Sequence, residues 1–274
     1  MSLSERIIES NKGLLGEMVQ LKYQAMSESA FRFFRGTCDL FYQDLATWKA
    51  LPKSPLSWIC GDLHVENFGS YKSDEGQVYF DLNDFDVVFR LAGTGSVGTK
   101  RYMFLLESLQ KKGKYLIVDM KQSQPSALNP FVKTKQPAWS CEAERVVFAQ
   151  ELSQHMPCAL LSYTIFKGDS YVMKEMQPTE DKIKFRLIQD QYRDIYQVID
   201  DMALLTASAH IRSSGRSGSA IADELIEFGQ GTDWQPSLID YAQEYFKKVK
   251  KDYKIFKEGF ESGLYEQKTS KKAS

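Results

Sequence analysis

Two short stretches decide how this sequence is read: Cys60–Gly69, CGDLHVENFG, and Phe80–Asp86, FDLNDFD. Asn67 follows Asp62 by five residues and Asp81 follows it by nineteen, with Asn83, Asp84 and Asp86 close behind. The apolar run Leu56–Cys60, after Pro52 and Pro55, and the run Val78–Phe80 predict two strands joined by a turn around Ser73, Asp74, Glu75 and Gly76. Each strand then ends in an acidic loop. A carboxylate and an amide oxygen five apart on a tight loop, facing a carboxylate from the adjacent strand, suit Mg²⁺, which takes hard oxygen ligands and shares them with substrate phosphates. In this reading Asp62 takes the proton of an attacking hydroxyl while Asn67 and Asp81 hold the metal. Asp84 is the alternative ligand, because spacing alone leaves the register open. Carboxylates crowded beside strands in this way are costly without a cation.

The rest of the composition narrows the class. In 274 residues, 35 Lys plus Arg stand against 36 Asp plus Glu, a formal charge of −1, which argues against a protein built to grip nucleic acid or anionic lipid. No apolar run is long enough to cross a bilayer, and the start MSLSERIIESNKG carries charges where a secretory signal needs an apolar core. A soluble, cytoplasmic protein without membrane or nucleic-acid partners is expected. Cys38, Cys60, Cys141 and Cys158 form no CxxC pair and read as buried free thiols. With only His64, His155 and His210, zinc chemistry has few ligands to use.

Residues 14–50 read as helical in two pieces, one presenting Leu14, Leu15, Met18 and Leu21, the other Leu40, Phe41, Leu45 and Trp48. Between them Phe31, Phe33 and Phe34 read as core packing, with Arg32 and Arg35 on the surface. The stretch 90–121 fits either strand, turn, strand, turn, strand or strand, helix, strand. Beyond it, a helix is predicted over Glu142–Leu152, and two strands, Cys158–Phe166 and Ser170–Met176, flank the turn at Lys167, Gly168 and Asp169. Tyr192, Ile195, Ile199, Met202, Leu205 and Ala209 recur at helical spacing up to a stop at Gly215. A last helix runs from Leu238 to Phe256 with one apolar stripe, and the tail LYEQKTSKKAS is polar.

GDLHVENFG resembles the GDxHxxN catalytic loop of aminoglycoside phosphotransferase-like and choline kinase-like enzymes, and the distance to FDLNDFD suits their metal-binding aspartate. More closely, the strings FRFFRG, CGDLHVENFG, FDLNDFD, GTGSVGT, AERVV and ASAHIRS together resemble the bacterial DUF2252 family, from about Phe31 to Phe256. The resemblance implies an α+β, protein kinase-like two-lobe fold, circularly permuted, with a small antiparallel sheet lobe and a helical lobe. The sheet-rich, nucleotide-binding lobe would span 91–178. The helical lobe would be built from 1–90, which carries the catalytic loop, and 179–274.

Such a fold implies ATP and Mg²⁺ as cofactors and transfer of a phosphoryl group to a hydroxyl of a small molecule or a protein. A Gly-rich loop lets backbone N–H groups approach the triphosphate, a role that falls to GTGSVG with Gly93, Gly95, Ser96 and Gly98. Lys121, closing LIVDMK, would neutralise phosphate oxygens and pair with Glu144 of the following helix, or alternatively with Glu142. The segment order departs from ordinary kinases, in which the Gly-rich loop and lysine precede the catalytic loop. Permutation reconciles the two, since packing does not depend on where a chain is cut. Two further departures are that Cys60 stands where HGD and HRD loops carry His or Arg, and that only VVFRLA separates NDFD from the Gly-rich stretch, where the family implies a longer helical segment.

Three rival readings attach to particular residues. VVFRLAGTGSVG followed by YLIVD fits a dinucleotide-binding Rossmann unit with Asp119 on the ribose, although no second βαβ unit follows. GDxH also occurs in metallophosphatases, which need more histidines than this chain has. A kinase-like pseudoenzyme that binds nucleotide or a partner without turnover is the non-enzymatic alternative. His64 reads as a brace for its loop, and His210 as helix-end packing or a brace for the catalytic loop. Tyr171, Met173 and Glu175 are equally adenine-hinge or core and strand-edge positions, and Arg35 and Arg90 are phosphate contacts or surface ion pairs. Neither the acceptor nor the oligomeric state is legible in the sequence.

Overall fold

A computed structural model of the chain describes residues 1–12, 14, 16–61, 63–82, 99–107, 112–176 and 183–266. In chain order these form α1 (Leu3–Ser10), α2 (Gly16–Ser27), α3 (Ala30–Gly36), α4 (Cys38–Thr47), β1 (Phe68–Lys72), β2 (Val78–Leu82), β3 (Arg101–Glu107) and β4 (Tyr115–Gln122). They continue with α5 (Glu142–Ser153), β5 (Ser162–Phe166), β6 (Asp169–Glu175), α6 (Phe185–Ile188), α7 (Tyr192–Arg212), α8 (Ala222–Gln230) and α9 (Gln235–Glu261). The architecture is mixed α+β with two small antiparallel sheets, ordered β1-β2 and β3-β4-β6-β5.

Helices from the two ends of the sequence share one core. Ile7, Val19, Tyr23, Met26, Phe33 and Leu40 pack with Phe256 of α9 and with Tyr265. The region expected as two helices with an aromatic link holds three. Ser29 caps a new helix by accepting the Arg32 N–H (3.2 Å), which turns the FRFFRG stretch into α3. Phe33 is its core residue, Phe31 is exposed, and Arg32 pairs with Glu28 one turn back. The buried face of α2 is Val19, Tyr23 and Met26, while the expected Leu21 is half exposed. Gly36 makes the α2–α3 contact possible, since a Cβ there would stand 2.5 Å from the Met26 Cγ.

The core also holds a lysine. Lys22 is 2% exposed and its Nζ donates to Asn11 Oδ1 (2.7 Å), whose Nδ2 in turn donates to the Ile7 carbonyl. Burial lowers its pKa to about 8, against an opposing pull from Asp39. Between that value and the ordinary lysine range the unfolded chain holds a proton that the folded chain has released, so stability rises with pH through this window. We expect the wild type to gain about 2 kcal/mol from about pH 8 to about pH 10 relative to Lys22→Met, read by urea unfolding at the two pH values. Equal curves would show that the ammonium is not desolvated.

In the first sheet Phe68 pairs with Leu82 and Lys72 with Val78. The turn between them closes with the Ser73 N–H on the Gln77 carbonyl and Gly76 at φ +82°. The turn was expected, but the first strand was not placed correctly. Leu56–Cys60 has no strand partner among the described residues; it packs on the turn after α7, its Leu56 carbonyl accepting the Ala220 N–H (2.7 Å) and Trp58 Nε1 reaching the Arg216 carbonyl (3.2 Å). The acidic loop at 62–67 therefore precedes the first strand instead of following it.

The described part of the ambiguous stretch, 99–107 and 112–121, holds two strands, and residues 90–98 lie outside the described residues. Residues 101–107 pair antiparallel with 115–121, Arg101 opposite Lys121, where a dinucleotide fold requires a helix and a parallel partner. The Rossmann reading is overturned by this register. Lys167 and Gly168, both at positive φ, form the tight β5–β6 turn. Helix α5 lies against β5 and β6, with the Ala143 N–H on Ser170 Oγ, and also touches α7, which reaches β2. Between α5 and β5, Ala159 gives its N–H to the Lys72 carbonyl (2.7 Å) and takes the Glu175 N–H (2.8 Å).

Only the C-terminal part of the α7 stripe is core: Met202, Leu205 and Ala209 pack with Cys60, Phe68 and Leu82, whereas Tyr192 and Ile199 are exposed. All four thiols are free. Cys60 and Cys158 are buried and Cys38 and Cys141 partly so, and burial pushes the Cys60 thiol up to about 11. Among the described residues no helix is long and apolar enough to cross a membrane.

Candidate functional site

The hairpin brings the two diagnostic stretches to one place. Because Phe68 stands opposite Leu82, the loop ending at Asn67 and the chain leaving Leu82 lie at the same end of the β1–β2 ladder. Gly61, just before Asp62, sits at φ +66°, a left-handed conformation that glycine adopts without a Cβ clash. One 3₁₀ turn, Val65–Asn67, closes with the Asn67 N–H on the His64 carbonyl (2.9 Å). Asn67 is 4% exposed, and the His64 ring meets Phe31 edge-on. Asp62, Asn83, Asp84 and Asp86 lie outside the described residues, as do Gly93, Gly95, Ser96 and Gly98 of the Gly-rich stretch and Arg90.

Asp81, expected to bind metal, is buried and takes part in several hydrogen bonds. It is 2% exposed; Oδ1 accepts the Leu82 N–H (2.8 Å), and Oδ2 accepts the His155 N–H (3.0 Å) and Arg212 Nη2 (3.4 Å). The same guanidinium holds the Ser153 carbonyl at the end of α5 (2.6 Å), and Gln154 Nε2 holds the Leu82 carbonyl (2.5 Å). A divalent cation at Asp81 would stand beside the Arg212 positive charge. Arg212 was missed in the sequence. The signal was a carboxylate in an apolar strand, which demands a cation, but nothing local said which.

Lys121 lies on β4, one strand in from the edge strand β3, and shares a face with Arg101, Asp119 and Lys174. Arg101 grips Asp119 through two nitrogens at 2.5 Å each, so the carboxylate once considered for ribose is engaged in the sheet. The N-terminus of α5 packs over this face through Ser170. The expected pair of Lys121 with Glu144 is not among the ion pairs of the described residues. The Glu144 carboxylate turns back to accept the Ser140 N–H (2.5 Å) at the start of its own helix, and hydrogen bonds from Ser140 hold it below the usual carboxyl range. Glu142, the alternative, pairs with Arg145 (2.7 Å). Tyr171 is buried against Tyr102 and Phe166, in the aromatic packing of the sheet. His210 is half-buried at the end of α7 and burial lowers its pKa, consistent with packing.

A cleft of about 220 Å³ that the sequence did not announce opens beside Gly61. Ser57, Trp58, Lys135, Arg145 and Ser219 line it with the glycine. It borders the 62–67 loop and offers two cationic side chains and several hydroxyls. Its walls come from segments far apart in the chain, so no local pattern marks it.

With this geometry in view, the chain matches the family model described as an uncharacterized protein conserved in bacteria (DUF2252), over residues 14–88 and 86–259. It belongs to that family. No curated protein and no solved structure matches it.

Proposed function

We propose that the protein is an ATP-dependent phosphotransferase of the kinase-like type, with the helical core and the four-stranded sheet as the two parts of a permuted kinase fold. The observation that carries the reading is the β1–β2 register, which sets the end of the GDLHVEN loop beside the start of the NDFD segment. Further support comes from the sheet. Its second strand bears Lys121, and the next helix, α5, packs on the same face. Those are the relations in which a kinase holds its lysine and its regulatory helix.

The donors available suit magnesium, being oxygen only. Asn67, with Asp81 or alternatively Asp84, would hold the ion, which when bound supplies charge neutralisation at the phosphates. Lys121 takes phosphate oxygens from the sheet side, on a face it shares with Arg101 and Lys174. Asp62 accepts the proton of the acceptor hydroxyl as its oxygen bonds to the γ-phosphorus. The bond from that phosphorus to the bridging oxygen breaks, and ADP carries the electron pair away. The cleft lined by Gly61, the residue before Asp62 in the chain, is the candidate seat for the acceptor. A reaction that consumes ATP belongs in the cytoplasm.

Calorimetric titration with ATP and Mg²⁺, together with ATP consumption over candidate acceptors, tests the reading. Lys121→Met is expected to weaken nucleotide binding about 10- to 100-fold, the loss of one charge-assisted phosphate contact. Binding without consumption would leave a nucleotide-binding pseudoenzyme, and no binding at all would end the proposal.

A further inference from the structure

The edge strand β3 is unusually bare. From Tyr102 to Glu107 nothing among the described residues pairs with its outer side, and Tyr102–Leu106 are five consecutive apolar residues. Both faces are open to solvent: Met103 is 65% and Leu105 69% exposed on one, Phe104 43% and Leu106 45% on the other. Natural sheet edges are normally guarded mid-strand by a lysine, a proline or a bulge, because an open edge templates another strand. In β3 the charges stand only at the ends, Arg101 and Glu107.

That arrangement is self-complementary in the antiparallel sense. When a second copy is placed by a two-fold axis through Phe104, Arg101, which also holds its own Asp119, stands opposite Glu107 of the second copy, whose carboxylate also takes its own Gly113 N–H; Tyr102 stands opposite Leu106, Met103 opposite Leu105, and Phe104 opposite itself. Alternation keeps the match on each face. The charged pair and the Met–Leu pair fall on one side, the aromatic and leucine pairs on the other. The opposite edge, β5, has the sequence SYTIF and no end charges to fix a register. We infer that the protein pairs with a second copy of itself through β3, joining two four-stranded sheets into one antiparallel sheet across an isologous interface. This goes beyond the phosphotransferase reading and does not depend on it.

Sedimentation velocity of the full chain over a range of concentrations tests the inference, with two variants. Wild type is expected to show a monomer–dimer equilibrium. Leu105→Lys places an ammonium diagonal to Arg101 of the second copy and is expected to weaken association at least tenfold while the circular dichroism spectrum is unchanged. Phe104→Cys, on the axis, is expected to link two copies through a disulfide under a thiol oxidant, well above the wild-type blank. Met103→Cys, too far from its own equivalent, is not. Should Leu105→Lys lose its fold, the two cysteine variants decide alone. A wild type that stays monomeric, as it would if another stretch of its own chain covered the edge, overturns the inference. So does a dimer that persists in folded Leu105→Lys, or Phe104→Cys that links no better than wild type.

Discussion

Asp62→Asn is expected to lower ATP-dependent transfer about 10²- to 10⁴-fold, the usual contribution of a positioned general base, while nucleotide affinity stays within a few-fold of wild type. The amide keeps the size of the carboxylate and removes its capacity to accept the acceptor proton. Its setting is built for positioning: a left-handed glycine fixes the entry to the loop, and the buried Asn67, seated at the start of β1, fixes the exit. A quench-flow or coupled assay with the acceptor in excess reads the effect. Loss of binding in parallel with turnover would mean that the substitution had collapsed the loop. Unchanged turnover would remove Asp62 from the chemistry.

Arg212→Met is expected to destabilise the fold by about 3 kcal/mol, because it strands the buried Asp81 carboxylate without its cation. Asp81→Asn should cost only about 1 kcal/mol. The amide oxygen still accepts one of the two backbone N–H groups, from Leu82 and His155, that the carboxylate takes on separate oxygens, so about one hydrogen bond is lost, and Arg212, 28% exposed, still holds the Ser153 carbonyl. The double variant should then be more stable than Arg212→Met alone, a coupling that chemical denaturation of the four proteins measures directly. Equal costs for both single changes would show that the pair is solvated.

The contrast between these two aspartates shows what the sequence could and could not reveal. Turn chemistry was legible: Ser73 to Gly76 and Lys167–Gly168 announced both hairpins, and helical periodicity announced α5, α7 and α9, because such signals are local. Leu56–Cys60 was misread because an extended segment packed on a turn has the same apolar composition as a strand, and only its partner, Ala220, distinguishes them. The cationic partner of Asp81 was illegible for the same reason at longer range, Arg212 lying 131 residues away. Glu144 found a donor on its own helix terminus before any lysine across the sheet. The outer half of α7 carries the periodicity of a core helix yet is exposed at Tyr192 and Ile199, since spacing defines a face and says nothing of what covers it.

Ala159 acts as a rivet, its amide fastened to one ladder through Lys72 and its carbonyl to the other through Glu175. Shear between the ladders would have to break one of these fastenings, so hairpin and larger sheet are tied to each other along this seam. The amide proton of Ala159 should accordingly be among the last to exchange with heavy water, outlasting those of exposed helix ends such as Tyr192.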